Sequence, residues 1–76
     1  MQLPQVSGPR LIRALESLGF FIKRQTGGHA VIVHEEDPTR RAIIPVHGSK
    51  SIRPGTLRSI LSGLQLSVET IKSKLS

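Results

Sequence analysis

The sequence predicts one small α+β domain, in which a helix is followed by a three-stranded antiparallel sheet and then by two more helices. Two observations predict this order. Apolar residues recur at helical spacing near both ends of the chain, whereas the middle holds three runs rich in β-branched residues, separated by turn-forming residues. A chain of 76 residues has room for a single domain, 1–76. We expect the helices to cover one face of the sheet and to leave the other open.

The first helix is predicted from about Pro9 to Leu18. Ser7 is a favourable N-cap, and Pro9 falls in the first turn, where its missing N–H removes no hydrogen bond. Gly19 follows the last apolar position and is suited to a left-handed C-cap. The apolar residues at helical spacing are Leu11, Ile12, Leu15 and Leu18. We therefore expect this helix to bury one apolar stripe.

The three predicted strands are Phe20–Gln25, Ala30–His34 and Arg41–Val46. Gly27 and Gly28 form the turn after the first strand. The polar segment Glu35–Thr39, which contains a proline, is predicted to connect the second strand to the third. Pro45 cannot donate a backbone hydrogen bond, so we expect it to lie where the edge of its strand is unpaired.

The two C-terminal helices follow a loop predicted at His47–Ser51. Pro54 begins the second helix, and Ser67 is the predicted N-cap of a short third helix that has Glu69 in its first turn. The apolar positions of the second helix are Leu57, Ile60, Leu61 and Leu64, and those of the third are Val68, Ile71 and Leu75. Both stripes have the spacing of helices that pack on a sheet.

The chain is basic, with 11 Lys and Arg against 5 Asp and Glu and a formal net charge of +6. This balance favours an anionic partner, and nucleic acid first, because phosphate neutralisation drives affinity independently of base sequence. Phe20 and Phe21 are the only Phe, Tyr or Trp residues, which argues against stacking of bases on exposed aromatic rings. Because cysteine, a membrane-spanning run and a signal peptide are all absent, we expect no membrane association and a cytoplasmic location.

The acidic residues do not indicate a metal site. Asp37 is the only aspartate, and it lies in the acidic run Glu35–Asp37, which we expect to be a solvated hairpin tip. A two-metal nuclease needs several carboxylates that converge on the ions. His29 and His34 are five residues apart, which places them on opposite faces of a strand. No phosphate-loop or dinucleotide motif is present, so we expect neither a metal nor a cofactor.

His29 is the strongest candidate for chemistry. It follows Gly27 and Gly28, whose backbone can approach a ligand closely, and it comes after the basic pair Lys23 and Arg24. An imidazole can transfer protons near neutral pH, and RNA supplies its own nucleophile in the 2′-hydroxyl group. One histidine among cations is therefore a feasible minimum for RNA cleavage, although the residues alone favour a structural role beside the turn.

The other two histidines are weaker candidates. His34 ends the second strand beside Glu35 and Glu36, where a structural contact is the simplest expectation. His47 lies close in sequence to Lys50 and Arg53, so a phosphate contact is conceivable, but its residue context alone favours a structural role.

Three runs of the chain carry a family resemblance: Gly19-Phe20 with Arg24–His29, Ile43–His47, and Pro54–Leu61. In order and spacing they resemble the HicA toxins of bacterial and archaeal type II toxin–antitoxin systems, over about Ser7 to Leu75. The resemblance implies a fold like that of a double-stranded RNA-binding domain. It also implies a ribonuclease that cleaves messenger RNA, with His29 as the catalytic histidine. A HicB-type antitoxin would neutralise the toxin by covering that histidine.

We therefore predict a ribonuclease toxin that uses no metal, has His29 as its general acid/base, and forms a hetero-oligomer with its antitoxin. The residues predicted to contact RNA are Lys23, Arg24, Gly27, Gly28 and Lys50. Two alternatives stay open. One is a non-catalytic RNA-binding module of the same fold, and the other is a protein whose basic face binds an acidic partner.

The sequence departs from the family pattern in three places. Gly28 stands where many members have serine, and Ala30 stands where a polar or aromatic residue is common. The segment Leu64–Ser67 differs from the Ala-Gly-Leu-Ser that commonly opens the last helix. This last departure leaves the end of the second helix open.

Overall fold

A computed structural model gives the fold of residues 3–48 and 50–75. Its elements are α1 (Gly8–Glu16), β1 (Phe20–Thr26), β2 (His29–His34), β3 (Arg41–Pro45), α2 (Pro54–Leu64) and α3 (Val68–Leu75). This order confirms the predicted α+β class and the arrangement expected of a fold like a double-stranded RNA-binding domain. Among the described residues, no helix is long and apolar enough to cross a membrane. Ser49, which belongs to the predicted loop, lies outside the described residues, as do the two chain ends.

Helix α1 begins as predicted and ends earlier. The Ser7 side chain accepts a hydrogen bond from the N–H of Arg10 at 3.3 Å, which caps the first turn. The N–H groups of Leu18 and Gly19 donate to carbonyls three residues back. This tightens the last turn, so the regular helix ends at Glu16 rather than at Leu18. Gly19 has a φ of 92°, the left-handed conformation expected of it.

The strands form one antiparallel sheet in the order β1-β2-β3. The N–H of Val46 donates to the carbonyl of Gly28 at 2.7 Å, immediately beyond the pair formed by His29 and Pro45. Because hydrogen-bonded pairs alternate with non-bonded ones, the nitrogen of Pro45 points away from β2. β3 is an edge of the sheet, so Pro45 lies where the sequence predicts it.

The helices pack on one face of the sheet, as predicted. The buried strand residues on this face are Phe20, Ala30, Ile32 and Ile44, and the fully buried helix residues include Leu11, Leu15, Leu57, Leu64 and Ile71. The opposite face has no such cover within the described chain. Phe21 is 44% exposed there and Ile43 is 60% exposed. We call this side the open face of the sheet.

Two arginines tie the helix ends to the rest of the domain. Arg40 donates from Nε to the carbonyl of Leu64 at 2.9 Å, and its guanidinium lies 5.2 Å from the centroid of the Phe20 ring. Arg10 of α1 donates to the carbonyl of Leu75 at 2.8 Å. The first contact holds the C-terminal end of α2 against the β2–β3 hairpin, and the second holds the C-terminal end of α3 against α1.

The structure resolves how α2 ends. Gln65 is left-handed, with φ 57° and ψ 42°, and its N–H donates to the carbonyl three residues back at 3.1 Å. The N–H of Leu66 donates to the carbonyl of Leu61 at 3.0 Å. These two bonds form a Schellman motif, in which glycine is the usual left-handed residue. Ser67 then caps α3 as predicted, accepting a hydrogen bond from the N–H of Thr70 at 3.1 Å.

Candidate active site

A two-residue turn places His29 at the start of β2. Thr26 pairs with His29, so Gly27 and Gly28 alone connect the two strands. Gly27 has a φ of 52°, whereas Gly28 is not left-handed, which is the pattern of a type II′ hairpin turn. His29 is therefore a strand residue rather than part of the turn. The alternation of side chains along β2 puts it on the open face, next to Val31.

The His29 imidazole is exposed to solvent. Its cross-strand neighbours are Thr26 on β1 and Pro45 on β3. Within the described parts of the chain, no residue hydrogen-bonds to its ring. The ring nitrogens are consequently not engaged by the rest of the described protein and can be offered to a ligand.

His47 lies directly beside His29. The two ring centroids are 5.6 Å apart, and the ring planes are nearly perpendicular at 86°. His47 follows β3, and the hydrogen bond from Val46 to Gly28 holds this part of the chain against the Gly27–Gly28 turn. His47 is also exposed. Its residue context alone gave no indication of this pairing.

The ring of His47 occupies the space that a side chain on Gly28 would need. A Cβ built on Gly28 would collide with Cε1, Nε2 and Nδ1 of His47. Because Gly28 is not left-handed, the absence of a side chain, rather than an unusual φ, is what this arrangement requires. The ring also covers one side of Gly28, so a ligand can approach that backbone only from the other side.

A β-bulge brings the two cations of β1 into one pocket. The pairing with β2 shifts between Ile22 and Arg24, which leaves Lys23 as the extra residue. In a regular strand, consecutive side chains point to opposite faces. Here Lys23 and Arg24 both line a pocket of about 250 Å³ with Val31 and Arg41. Arg41 thus joins the predicted pair as a third cation.

Lys50 lies close to the second histidine of the pair. It lines a pocket of about 240 Å³ together with His47, Arg53 and Thr56, between the end of β3 and the first turn of α2. The structure therefore groups Lys50 with His47, whereas Lys23 and Arg24 lie along the open face on the side of Val31. The predicted RNA-contacting cations thus form two groups.

Residues 8–66 match the sequence profile of a known family, described as the HicA toxin of bacterial toxin–antitoxin systems. The chain belongs to the HicA toxin family. The matched segment includes the whole sheet, both His29 and His47, and all of α2. No curated protein sequence matches the chain. Membership of the HicA family makes this protein a toxin whose partner is an antitoxin.

The third histidine of this HicA family member has structural contacts. His34 Nδ1 accepts a hydrogen bond from the N–H of Glu36 at 3.1 Å, and its ring packs edge-on against Phe20 with centroids 4.8 Å apart. Strand alternation puts His34 on the helix-covered face, opposite to His29, as their spacing predicts. His34 therefore lies apart from the candidate site.

The acidic segment lies at the tip of the β2–β3 hairpin. Asp37 Oδ1 accepts hydrogen bonds from the Thr39 hydroxyl at 2.6 Å and from the Thr39 N–H at 3.1 Å. These bonds lower the pKa of the Asp37 carboxyl below its ordinary value, and the positive charge of Arg40 acts in the same direction. Across residues 3–48 and 50–75, no group of three His, Cys, Asp or Glu side chains could hold a metal ion.

Sequence reasoning did not select two residues of the site, His47 and Arg41. The pairing of β3 with β2 brings His47 to His29 and Arg41 to the pocket of the β1 cations. In this register His29 lies opposite Pro45, and Val31 lies opposite Ile43. His47 follows the predicted third strand, two residues after Pro45, so only the pairing of that strand with the second brings it beside His29.

Proposed function

We propose that this HicA toxin is an endoribonuclease that cleaves messenger RNA, with His29 as a proton-transfer group and without a metal ion. One observation carries the proposal: His29 presents an exposed imidazole on the open face, without hydrogen bonds to the described chain and beside His47, whose pocket also contains Lys50. An anionic polymer attracted to this basic domain would meet an unengaged proton-transfer group there.

For RNA cleavage, the protein needs to supply proton transfer and charge stabilisation. The 2′-hydroxyl is the nucleophile, and an imidazole can accept its proton as the oxygen attacks phosphorus. Negative charge then develops on the phosphoryl oxygens, which nearby cations and backbone N–H groups stabilise. The groups that we propose to contact the RNA are Lys23, Arg24, Gly27, Gly28 and Lys50.

We further propose that the antitoxin is of the HicB type and that it neutralises the toxin by covering His29 in a hetero-oligomer. The exposure of His29 on an uncovered sheet face supports this, because a partner can reach the ring without unfolding any described element. We expect the toxin to act in the cytoplasm, where messenger RNA is translated.

The test is cleavage of a fluorescently labelled single-stranded RNA by purified protein, resolved on a denaturing gel. His29→Ala should lower the rate about 100- to 10,000-fold, the usual contribution of a general acid or base. Its thermal unfolding should match that of the wild type, because the ring is exposed and makes no described hydrogen bond. Lys72→Ala, which removes an exposed cation on α3 away from the site, is the matched control and should cleave normally.

Three further measurements test the proposal against its alternatives. EDTA should not inhibit cleavage, and inhibition by EDTA would contradict the metal-free mechanism. Binding of RNA by the wild type without any cleavage would instead support a non-catalytic RNA-binding module. Cleavage by His29→Ala at the wild-type rate would refute the role of His29. In cells, co-expression of the neighbouring gene should relieve growth arrest if that gene encodes the antitoxin.

A further inference from the structure

We infer that His47 is the second proton-transfer group of this site, so that RNA is cleaved by a pair of histidines rather than by His29 alone. The inference rests on the proposed ribonuclease function and deepens it. Transesterification of RNA needs two proton transfers: one from the 2′-hydroxyl and one to the departing 5′-oxygen. His29 can perform one of them at a time, and the structure places one other imidazole next to it.

The geometry of the pair suits a shared phosphate. The ring centroids are 5.6 Å apart, which is close enough for both rings to touch the same phosphate group. The planes are nearly perpendicular, at 86°, so the two rings are not stacked face to face and their edges stay open to a ligand. Both side chains are exposed, and no residue in the described segments hydrogen-bonds to either ring.

The backbone is shaped to hold His47 in this position. The ring lies against Gly28 at a place where any Cβ would collide with three of its atoms. The Val46 N–H bond to the Gly28 carbonyl, at 2.7 Å, joins the residues that precede the two histidines by one. The same hydrogen bond therefore fixes the backbone on which each ring is mounted.

The chemistry balances without another reactant. One imidazole, neutral at the start, takes the proton of the 2′-hydroxyl as the 2′-oxygen forms its bond to phosphorus. The bond from phosphorus to the 5′-oxygen breaks, with its electron pair going to that oxygen, and the other ring, an imidazolium at the start, donates a proton to it. The products are a 2′,3′-cyclic phosphate and a 5′-hydroxyl. One proton is accepted and one is donated, and the two rings regain their starting states through solvent.

A sulfur substitution in the substrate tests this assignment. Two oligonucleotides, each with a single ribonucleotide, would carry either oxygen or sulfur at the bridging 5′ position of the scissile phosphate. A thiolate leaves without protonation far more readily than an alkoxide, so the sulfur substrate no longer needs the general acid. On the oxygen substrate, His29→Ala and His47→Ala should each lose about 100- to 10,000-fold in rate. On the sulfur substrate, the variant that lacks the acid should recover most of this loss, and the other should not.

The outcomes separate the inference from the function on which it rests. Rescue of one variant and not the other supports a histidine pair, and the rescued variant identifies the acid. Rescue of neither or of both overturns the inference, as does normal cleavage of the oxygen substrate by His47→Ala. If the wild type cleaves the oxygen substrate and only His29→Ala lowers the rate, the ribonuclease function is supported and the histidine pair is refuted. If the wild type cleaves neither substrate, the function itself fails.

Gly28→Ala gives an independent test in which both histidines are retained. The alanine Cβ would displace the His47 ring, while the backbone N–H at position 28 is preserved. Because a side chain, rather than backbone, must move, stability should change little, and cleavage of the oxygen substrate should fall at least about 10-fold. The control is Gly55→Ala, the same replacement where a Cβ meets nothing within 4 Å. Wild-type cleavage by Gly28→Ala would overturn the inference.

Discussion

Replacing Gln65 with glycine should stabilise the domain, because Gln65 occupies a conformation that favours glycine. Its φ of 57° and ψ of 42° are left-handed, and it is the left-handed residue of the Schellman motif that ends α2. This conformation costs a residue with a Cβ roughly 1–2 kcal/mol. The side chain is exposed and makes no described hydrogen bond, so its removal sacrifices no contact of the described chain.

The expected rise in the free energy of unfolding is smaller than the backbone strain that glycine removes. Glycine loses more conformational freedom on folding than other residues, which offsets about 0.5–1 kcal/mol. The free energy of unfolding should therefore rise by about 0–1.5 kcal/mol, with the middle of that range at about 0.75 kcal/mol. In a domain of this size, 1 kcal/mol shifts the melting temperature by about 4–8 °C, so circular dichroism can resolve the effect.

Gln65→Ala separates the contribution of the backbone from that of the side chain. Alanine removes most of the glutamine side chain and retains the Cβ that makes the left-handed conformation unfavourable, so its melting temperature should stay near that of the wild type. If Gln65→Ala and Gln65→Gly raise the melting temperature equally, then the glutamine side chain, and not the left-handed φ, is what destabilises the wild type. A lower melting temperature for Gln65→Gly than for the wild type would refute the reasoning altogether.

Two further predictions concern stability. Gly63→Ala should lower the free energy of unfolding by about 1–3 kcal/mol, because its Cβ would lie 2.7 Å from the carbonyl oxygen of Arg41. Gly55→Ala on the same helix meets no such obstacle and should raise the free energy of unfolding by up to about 1 kcal/mol. If urea unfolding shows that both variants change the free energy in the same direction, this explanation is wrong. The Thr39 hydrogen bonds lower the pKa of folded Asp37 below its ordinary 3.8, so the ionised carboxylate adds stability that is present above that value and is lost as pH falls through the folded pKa. Asp37→Asn should accordingly lower the melting temperature at pH 7, and the difference should shrink as the pH is reduced below 3.8; a difference that is constant down to pH 2 would contradict it.

The elements were predictable because each carries its own local pattern. Ser7 and Ser67 cap helices as expected, and the three strands begin and end within one residue of their predicted limits. The end of α1 was wrong by two residues. Leu18 continues the apolar period of the helix, but a tightened last turn leaves it outside the regular helix. Apolar spacing alone does not distinguish these two arrangements.

The candidate site was predictable only where it is local. Lys23, Arg24 and His29 lie within seven residues of one another, and a short hairpin keeps them together. His47 and Arg41 approach through the register between β2 and β3, which depends on how the connection after His34 is folded. Hydrogen bonds at the hairpin tip fix that connection, and its length and composition alone do not specify the register.

The bulge in β1 affects which changes of chain length the sheet can accept. With Lys23 deleted, Ile22 and Arg24 would become neighbours in a regular ladder, still opposite Ile32 and Val31. Every other side chain of the strand would keep its face, and the deletion would remove one positive charge. A residue lost elsewhere in β1 would force the bulge to migrate or the strand to invert. Position 23 is thus the point in this strand where evolution or an engineer could shorten the toxin and adjust its charge in a single step.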